Sequence, residues 1–320
     1  MSTTNEKIEI SVVVPVYGCP EAIPELHKRL TSTLSGMNIG YEIILVDDRD
    51  GMGSWDEIKK VAIGDTHVKA ISLTRNCGQD KAITAGVAAS KGQWIITMDC
   101  DLQDAPENIP VLYDKVRKEG LDIVIVRRQQ RKDSAIVQLL SKMFHKVFSY
   151  LSELTFDYEL GTYLIASKRC GDLFINTKGP GRDFTMFLLW TNYKKGFIEF
   201  EHETRFAGVS SYTFAKKFEY ALRAMTTFSN RILYVPIYVG AVSAIGSLIY
   251  VLFVLISWAT HASNPEGWNT LAAAVFFFGG LILSTLGVLG LYIGNIFDVT
   301  KERPLYIIQE TINLEEGDKN

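Results

Sequence analysis

"QWIITMDCDLQDAPENIP" occupies Gln93–Pro110. Its apolar run, Trp94-Ile95-Ile96, stops at two carboxylates one residue apart, Asp99 and Asp101. Side chains at i and i+2 of an extended segment lie on the same side, so both acids point at one spot. Like charges that close repel unless a cation lies between them or one takes a proton. Hard oxygen ligands suit Mg2+ or Mn2+, and such an ion keeps coordination sites for phosphate oxygens. A buried strand ending in this pair therefore predicts a sheet whose ligand site lies at its strand ends.

The flanking sequence supplies that sheet. "IEISVVVPVY" (Ile8–Tyr17), "YEIILVDD" (Tyr41–Asp48), "VKAISLT" (Val68–Thr74) and "LDIVIVRR" (Leu121–Arg128) read as further strands. Between them lie helical segments. "PEAIPELHKRLTSTL" places Ile23, Leu26, Leu30 and Leu34 on one face. "SWDEIKKVAI" is opened by Ser54 as a cap, "KAITAGVAAS" is rich in small residues, and "ENIPVLYDKVRKEG" ends at Gly120. Near-continuous apolar strands alternating with helices predict an α/β fold with a mostly parallel sheet covered on both faces. In such sheets ligands bind beyond the carboxyl ends of the strands. The polar residues gather there: Tyr17, Asp47 and Asp48, Arg75 and Asn76, Asp99 and Asp101, Arg127 and Arg128.

Beyond Ser134 the reading is coarser. "SAIVQLLSKMFHKVFSYLSEL" is an amphipathic helix, "GTYLIASKRC" a strand, "RDFTMFLLWTNY" an apolar helix, and "KGFIEFEHETRF" alternates like an edge strand. "SYTFAKKFEYALRAMTTFSNR" reads as a basic amphipathic helix lying on lipid headgroups. Two stretches, 232–258 and 271–297, contain no Asp, Glu, Lys or Arg. A bilayer core of about 30 Å needs roughly 20 helical residues, so both read as transmembrane helices. Arg223, Arg231, Lys301 and Arg303 flank them, whereas "THASNPEGWN" between them has no Lys or Arg. The positive-inside rule then puts both chain ends in the cytosol. The expected layout is a catalytic domain over 1–212, a juxtamembrane helix over 213–231, the two spans, and a cytosolic tail over 298–320. In that tail "NLEEGDKN" is the one disordered candidate.

A net charge of −3 gives no reason to expect nucleic acid as a partner. Cys19, Cys77, Cys100 and Cys170 lack the C-x-x-C spacing of a zinc site. Their scatter predicts no disulfide framework and a reducing compartment.

These motifs together carry a resemblance. "SVVVPVYG", "YEIILVDD", "LTRNCGQDKAITAGVAASKGQWIITMDCDLQDAPENIP", "RFAGVSSY" and the terminal apolar pair resemble the inverting family 2 glycosyltransferases of the GT-A fold. More narrowly, they resemble the polyisoprenyl-phosphate glycosyltransferases. The resemblance implies that Pro15, Tyr17, Asp47 and Asp48 hold a nucleoside. Asp99 and Asp101 would hold a metal and diphosphate, and Gln103 would lie beside the sugar. Arg205 and Ser210 of the R-x-x-G-x-S match would approach the phosphates. Independently of the resemblance, Arg75, Arg128, Arg131 and Arg205 could add positive charge near a diphosphate. It further implies a bacterial inner-membrane enzyme, a homotetramer, a nucleotide sugar as donor and undecaprenyl phosphate as acceptor, in the service of O-antigen or lipopolysaccharide modification. Four departures stand out. The usual "DDGS" reads Asp47-Asp48-Arg49-Asp50, the usual Asn after "PVY" is Gly18, "D-x-G-D-F-R-L" reads Glu159-Leu160-Gly161-Thr162-Tyr163-Leu164-Ile165, and the usual Lys after "G-x-S" is Ser211.

The expected reaction is in-line attack of a lipid phosphate oxygen on the anomeric carbon of a UDP-sugar. A phosphate monoester is mostly ionised near pH 7, so little base is needed. Glu159, with Asp157 behind it, would orient the acceptor or take a residual proton. Two other readings remain open: transfer to a different lipid acceptor, and an inactive membrane scaffold that binds nucleotide.

Overall fold

Val12, Val13, Val14 and Val16 make β1 (Ile8–Val16) apolar on both faces. A strand of that kind is stable only inside a sheet covered on both sides. The computed structural model describes residues 7–128, 160–177, 183–200, 229, 231–259 and 267–314, and β1 lies near the middle of its eight-stranded sheet. The other strands are β2 (Gly40–Asp47), β3 (Val68–Leu73), β4 (Trp94–Thr97), β5 (Ile123–Arg128), β6 (Leu160–Ser167), β7 (Lys195–Phe200) and β8 (Ile308–Ile312). Their order is β7-β5-β6-β4-β1-β2-β3-β8.

The central strands β4, β1, β2 and β3 are mutually parallel, as is β7 with β5. β6 runs antiparallel to both β4 and β5, and β8 antiparallel to β3. The chain steps from β1 outward to β2 and β3, then returns to place β4 on the other flank of β1. That reversal opens a crevice beyond the carboxyl ends of β1 and β4, where open α/β sheets take their ligands.

The helices cover the sheet for readable reasons. α1 (Ile23–Gly36) buries Ile23, Leu26, Leu30 and Leu34, an i, i+3, i+4 stripe. α3 (Gln79–Ala89) is made of small residues and lies close against the sheet. A Cβ at its Gly86 would come within 2.3 Å of a Val13 methyl. α4 (Ile109–Glu119) ends where Gly120 turns left-handed at φ 59°. α2 (Ser54–Gly64), α5 (Lys168–Asn176) and α6 (Phe184–Trp190) complete the layers. In α6 the Asp183 side chain accepts from Met186 N at 2.8 Å and caps the helix.

Three expectations need correcting. Ser54 is not the cap of α2; Gly53 holds that position, and the Ser54 hydroxyl donates to Asp50 instead. The cysteines are not all free: Cys19 and Cys100 form a disulfide, while Cys77 and Cys170 are free thiols. Their separation of 81 residues hid the pairing; in space they face each other across the β1/β4 crevice. The C-terminal segment is not only a tail. β8 closes the sheet beside β3, and Asn313 Nδ2 donates to the carbonyls of Ala62 at 2.6 Å and Val68 at 2.9 Å.

The chain divides into two units. One comprises residues 1–145, 154–213 and 303–320, and contains the whole sheet. The other comprises 146–153 and 214–302. It contains α7 (Tyr234–Ala259) and α8 (Trp268–Thr300), of 26 and 33 residues. Among the described residues one segment, Phe277–Thr300, is long and apolar enough to cross a membrane. Tyr292 within it donates its hydroxyl to the Ser229 carbonyl at 2.8 Å. The predicted amphipathic helix before α7 lies outside the described residues, apart from Ser229 and Arg231.

Candidate active site at the strand ends

Each central strand delivers its polar residues where its apolar run stops. β1 is followed by Tyr17, half exposed at 52%, two residues after buried Pro15. β2 ends in Asp47 and Asp48, both buried. Asp47 Oδ2 accepts from the Ser72 hydroxyl at 2.9 Å, and its Oδ1 from Arg49 N at 3.2 Å. Asp48 takes the two backbone N–H groups of Cys77 and Gly78, at 2.6 and 2.8 Å, one on each oxygen. Burial pushes both carboxyls above the usual carboxylate range, against the lowering effect of those hydrogen bonds.

The next residue in line, Gln79, opens α3 and donates through Nε2 to Asp99 Oδ1 at 2.6 Å. The stretch Cys77–Gln79 thus ties the acids of β2 to the first acid beyond β4. Thr162 in β6 donates its hydroxyl to the same Asp99 oxygen at 2.8 Å. Asp101 Oδ1 accepts from Gln103 N at 3.1 Å, forming a tight turn around Leu102. Leu102 sits at φ 61° with its side chain buried. A left-handed leucine costs about 1–2 kcal/mol. Burial of its side chain holds that conformation, and with it the angle at which the acidic pair is presented.

On the β1 side, Asp50 braces the facing loop. It accepts from Gly18 N at 2.8 Å, Met52 N at 2.7 Å and the Ser54 hydroxyl. Burial would raise the Asp50 carboxyl, but these donors hold it below its ordinary value. Cys19, next to Gly18, is bonded to Cys100, the residue between Asp99 and Asp101. The two walls of the crevice are therefore joined covalently as well as through the sheet.

A glycosyl transferase family 2 model matches residues 11–178, which contain all of these groups. The chain belongs to glycosyltransferase family 2. Among relatives, it is 34% identical over 328 residues to an undecaprenyl-phosphate 4-deoxy-4-formamido-L-arabinose transferase of Proteus mirabilis, covering 100% of this chain and 99% of that one. It is 31% identical to a prophage bactoprenol glucosyl transferase homolog of Escherichia coli, over 94% of this chain and 99% of the other. Among solved folds, glucosyl-3-phosphoglycerate synthase from Mycobacterium tuberculosis, in complex with Mn2+, UDP-glucose and phosphoglyceric acid, superposes with a TM-score of 0.53 at 16% identity. That match covers 70% of this chain and 79% of the other.

In this family 2 glycosyltransferase, the structure brings Pro15, Tyr17, Asp47, Asp48, Asp99, Asp101 and Gln103 to one end of the sheet. Arg75 and Asn76 lie exposed at the end of β3, with Asn76 Oδ1 accepting from Gly78 N at 3.1 Å. Arg128 is the last residue of β5, paired with Phe200. Asp157, Glu159, Arg205 and Ser210 lie outside the described residues.

Among the described residues no three His, Cys, Asp or Glu side chains cluster as a metal cage. The donor set fits a different arrangement. Mg2+ and Mn2+ need only one or two carboxylates when phosphates fill the other positions, and Asp99 and Asp101 supply two. Two of the groups that hold Asp99 are the neutral side chains of Gln79 and Thr162, both on Oδ1.

Sequence reasoning missed four participants: Gln79, Thr162, Asp50 and the Cys19–Cys100 pair. Thr162 had one signal, since it stands where the resembled pattern has an acid. A cavity of about 500 Å3 lies at the opposite end of the sheet beside Trp94, Arg117 and Lys168. The cations there are engaged: Arg169 by Asp122 at 2.6 Å and Lys168 by Asp172 at 3.1 Å.

Proposed function

We propose that this glycosyltransferase moves a sugar from UDP-sugar to undecaprenyl phosphate, with inversion, at the cytosolic face of a bacterial inner membrane. The observation that carries this reading is the full-length likeness, at 31–34% identity, to proteins named as undecaprenyl-phosphate and bactoprenol transferases. The likeness extends through the apolar C-terminal third, where a lipid acceptor has its chain. The apolar segment Phe277–Thr300 supports the same placement, with 232–258 as a second span.

In this reading Pro15, Tyr17, Asp47, Asp48, Arg75 and Asn76 form the nucleoside end of the crevice. Asp99 and Asp101 hold Mg2+ or Mn2+, which would neutralise charge on the departing diphosphate. Gln103 lies beside the sugar, and Arg128, Arg205 and Ser210 face phosphate groups. The acceptor phosphate is already an anion, so Glu159 or Asp157 needs only to orient it and take any residual proton. The product, a lipid-linked sugar, suits envelope glycan modification of the lipopolysaccharide type. The enzyme works as a homotetramer.

The test is transfer from labelled UDP-, GDP- and dTDP-sugars to undecaprenyl phosphate by the purified full-length chain, with and without Mn2+. Metal-dependent label in the lipid phase from a UDP-sugar is the expected result. Label that appears only on diacylglycerol, or no label from any donor, overturns the reading.

A further inference from the structure

Asp99 is fixed by two side chains that come from opposite flanks of β4. Gln79 reaches it from the first turn of α3, at 2.6 Å. Thr162 reaches it from β6, at 2.8 Å. Both contacts land on the same oxygen, Oδ1, and both donors are uncharged.

Each donor is itself held. Gln79 follows Cys77 and Gly78, whose N–H groups are bound by buried Asp48. Thr162 belongs to β6, paired with β4 from Trp94 to Thr97, and its carbonyl accepts from the Thr97 hydroxyl. The Asp99 carboxylate is therefore referenced to three strands: to β2 through Asp48 and Gln79, to β6 through Thr162, and to β4 through its own backbone.

We propose that Gln79 and Thr162 are positioning residues that set the Asp99 carboxylate for a divalent cation and the nucleotide diphosphate. The inference rests on the reading of Asp99 as part of that site. A carboxylate oxygen has two acceptor positions, and at Oδ1 these two donors take both. These two bonds restrain rotation of the carboxylate plane, so that the group would meet a cation in one orientation. Neutral donors are the suitable type. A lysine or arginine here would compete with the cation, and an acid would repel Asp99.

Such outer partners typically contribute 10–100-fold to metal affinity when they orient a ligand. The test is calorimetric titration of the purified full-length chain with Mn2+ in the presence of UDP, which needs neither sugar transfer nor lipid acceptor. Thr162→Val keeps the shape and removes the donor; Gln79→Leu does the same from the other side; Thr162→Ser restores a hydroxyl. Valine and leucine are expected to weaken Mn2+-dependent UDP binding about 10–100-fold. Serine is expected to recover most of the loss, with all melting temperatures close to the parent's.

Binding by Thr162→Val and Gln79→Leu within twofold of the parent overturns the proposal. So does a loss that Thr162→Ser fails to restore while the protein remains folded. Should Thr162→Val not fold, Gln79→Leu against the parent decides alone. The functional reading fails separately: the unmodified chain would then bind no UDP at any Mn2+ concentration.

Discussion

Gln309 accepts a hydrogen bond from the Arg49 guanidinium, 260 residues earlier in the chain. Arg49 lies in the loop after β2 at φ 55°, a left-handed conformation that is unfavourable for a residue with a Cβ. Its backbone N–H donates to Asp47, so the turn shapes the acidic end of β2. Strain of about 1–2 kcal/mol and a hydrogen bond worth about 0.5–1.5 kcal/mol then nearly cancel. Arg49→Gly removes both and is expected to melt within about 2 °C of the parent. Gln309→Ala keeps the strain and loses the bond, so it is expected to melt lower than Arg49→Gly. Thermal unfolding of the two variants checks the order; the reverse order contradicts it.

Gly92 is fixed by crowding. A Cβ there would stand 2.6 Å from Ser11 N and 2.8 Å from the Ile10 carbonyl carbon, both backbone atoms of the central strand. Its own N–H donates to the Ser11 hydroxyl at 2.8 Å, and that hydroxyl donates to buried Glu42 at 2.6 Å. Gly92→Ala should destabilise the catalytic unit by about 2–3 kcal/mol, in line with other overpacked sites. Reduced yield of folded protein and a melting point several degrees lower are the expected readouts.

Asp50 gives a pH signature. Hydrogen bonds from the Ser54 hydroxyl and from the backbone of Met52, Gly18 and Ser54 hold the carboxyl below the ordinary value of 3.8, against the opposing effect of burial. A depressed acid contributes stability that is fully present above its unfolded value and is lost as pH falls through its folded value. Asp50→Ala should therefore melt below the parent by a constant margin from pH 5 to 8. The margin should shrink below about pH 4 as the parent's own carboxyl protonates. A margin that widens on acidification would contradict the assignment.

Asp101 is the sharpest catalytic test. Asp101→Asn preserves size and the turn to Gln103 N but removes the charge. Transfer to lipid phosphate should fall by about 100-fold or more, the scale of losing one electrostatic partner of a departing anion. Membrane association and melting should stay close to the parent. Transfer at the parental rate would remove this residue from the chemistry.

The central sheet was legible because its strands are nearly pure Val, Ile and Leu and stop at polar residues. Runs such as Val12–Val16 and Ile43–Val46 admit little else. The acidic pair was legible because two like charges after such a run need an explanation. Gln79 and Thr162 were not, because neutral polar side chains carry no local pattern; their meaning appears only when α3 and β6 meet at Asp99. Cys19 and Cys100 stayed hidden because linear distance says nothing of a crevice formed by reversed strand order. β8 was invisible for another reason. Ile308-Gln309-Glu310-Thr311-Ile312 is short and half polar, and it becomes a strand only because β3 offers it an edge.

That late partner has a bearing on biosynthesis. β3 is complete at Leu73, but the strand that covers its edge begins at Ile308, after both apolar helices. At roughly 5–20 residues per second of translation, the sheet waits on the order of 10–50 s with one flank unpaired. Nascent catalytic units on crowded polysomes are thus open to edge-to-edge association during that interval, and synthesis of the C-terminal third must finish before the hazard is sealed.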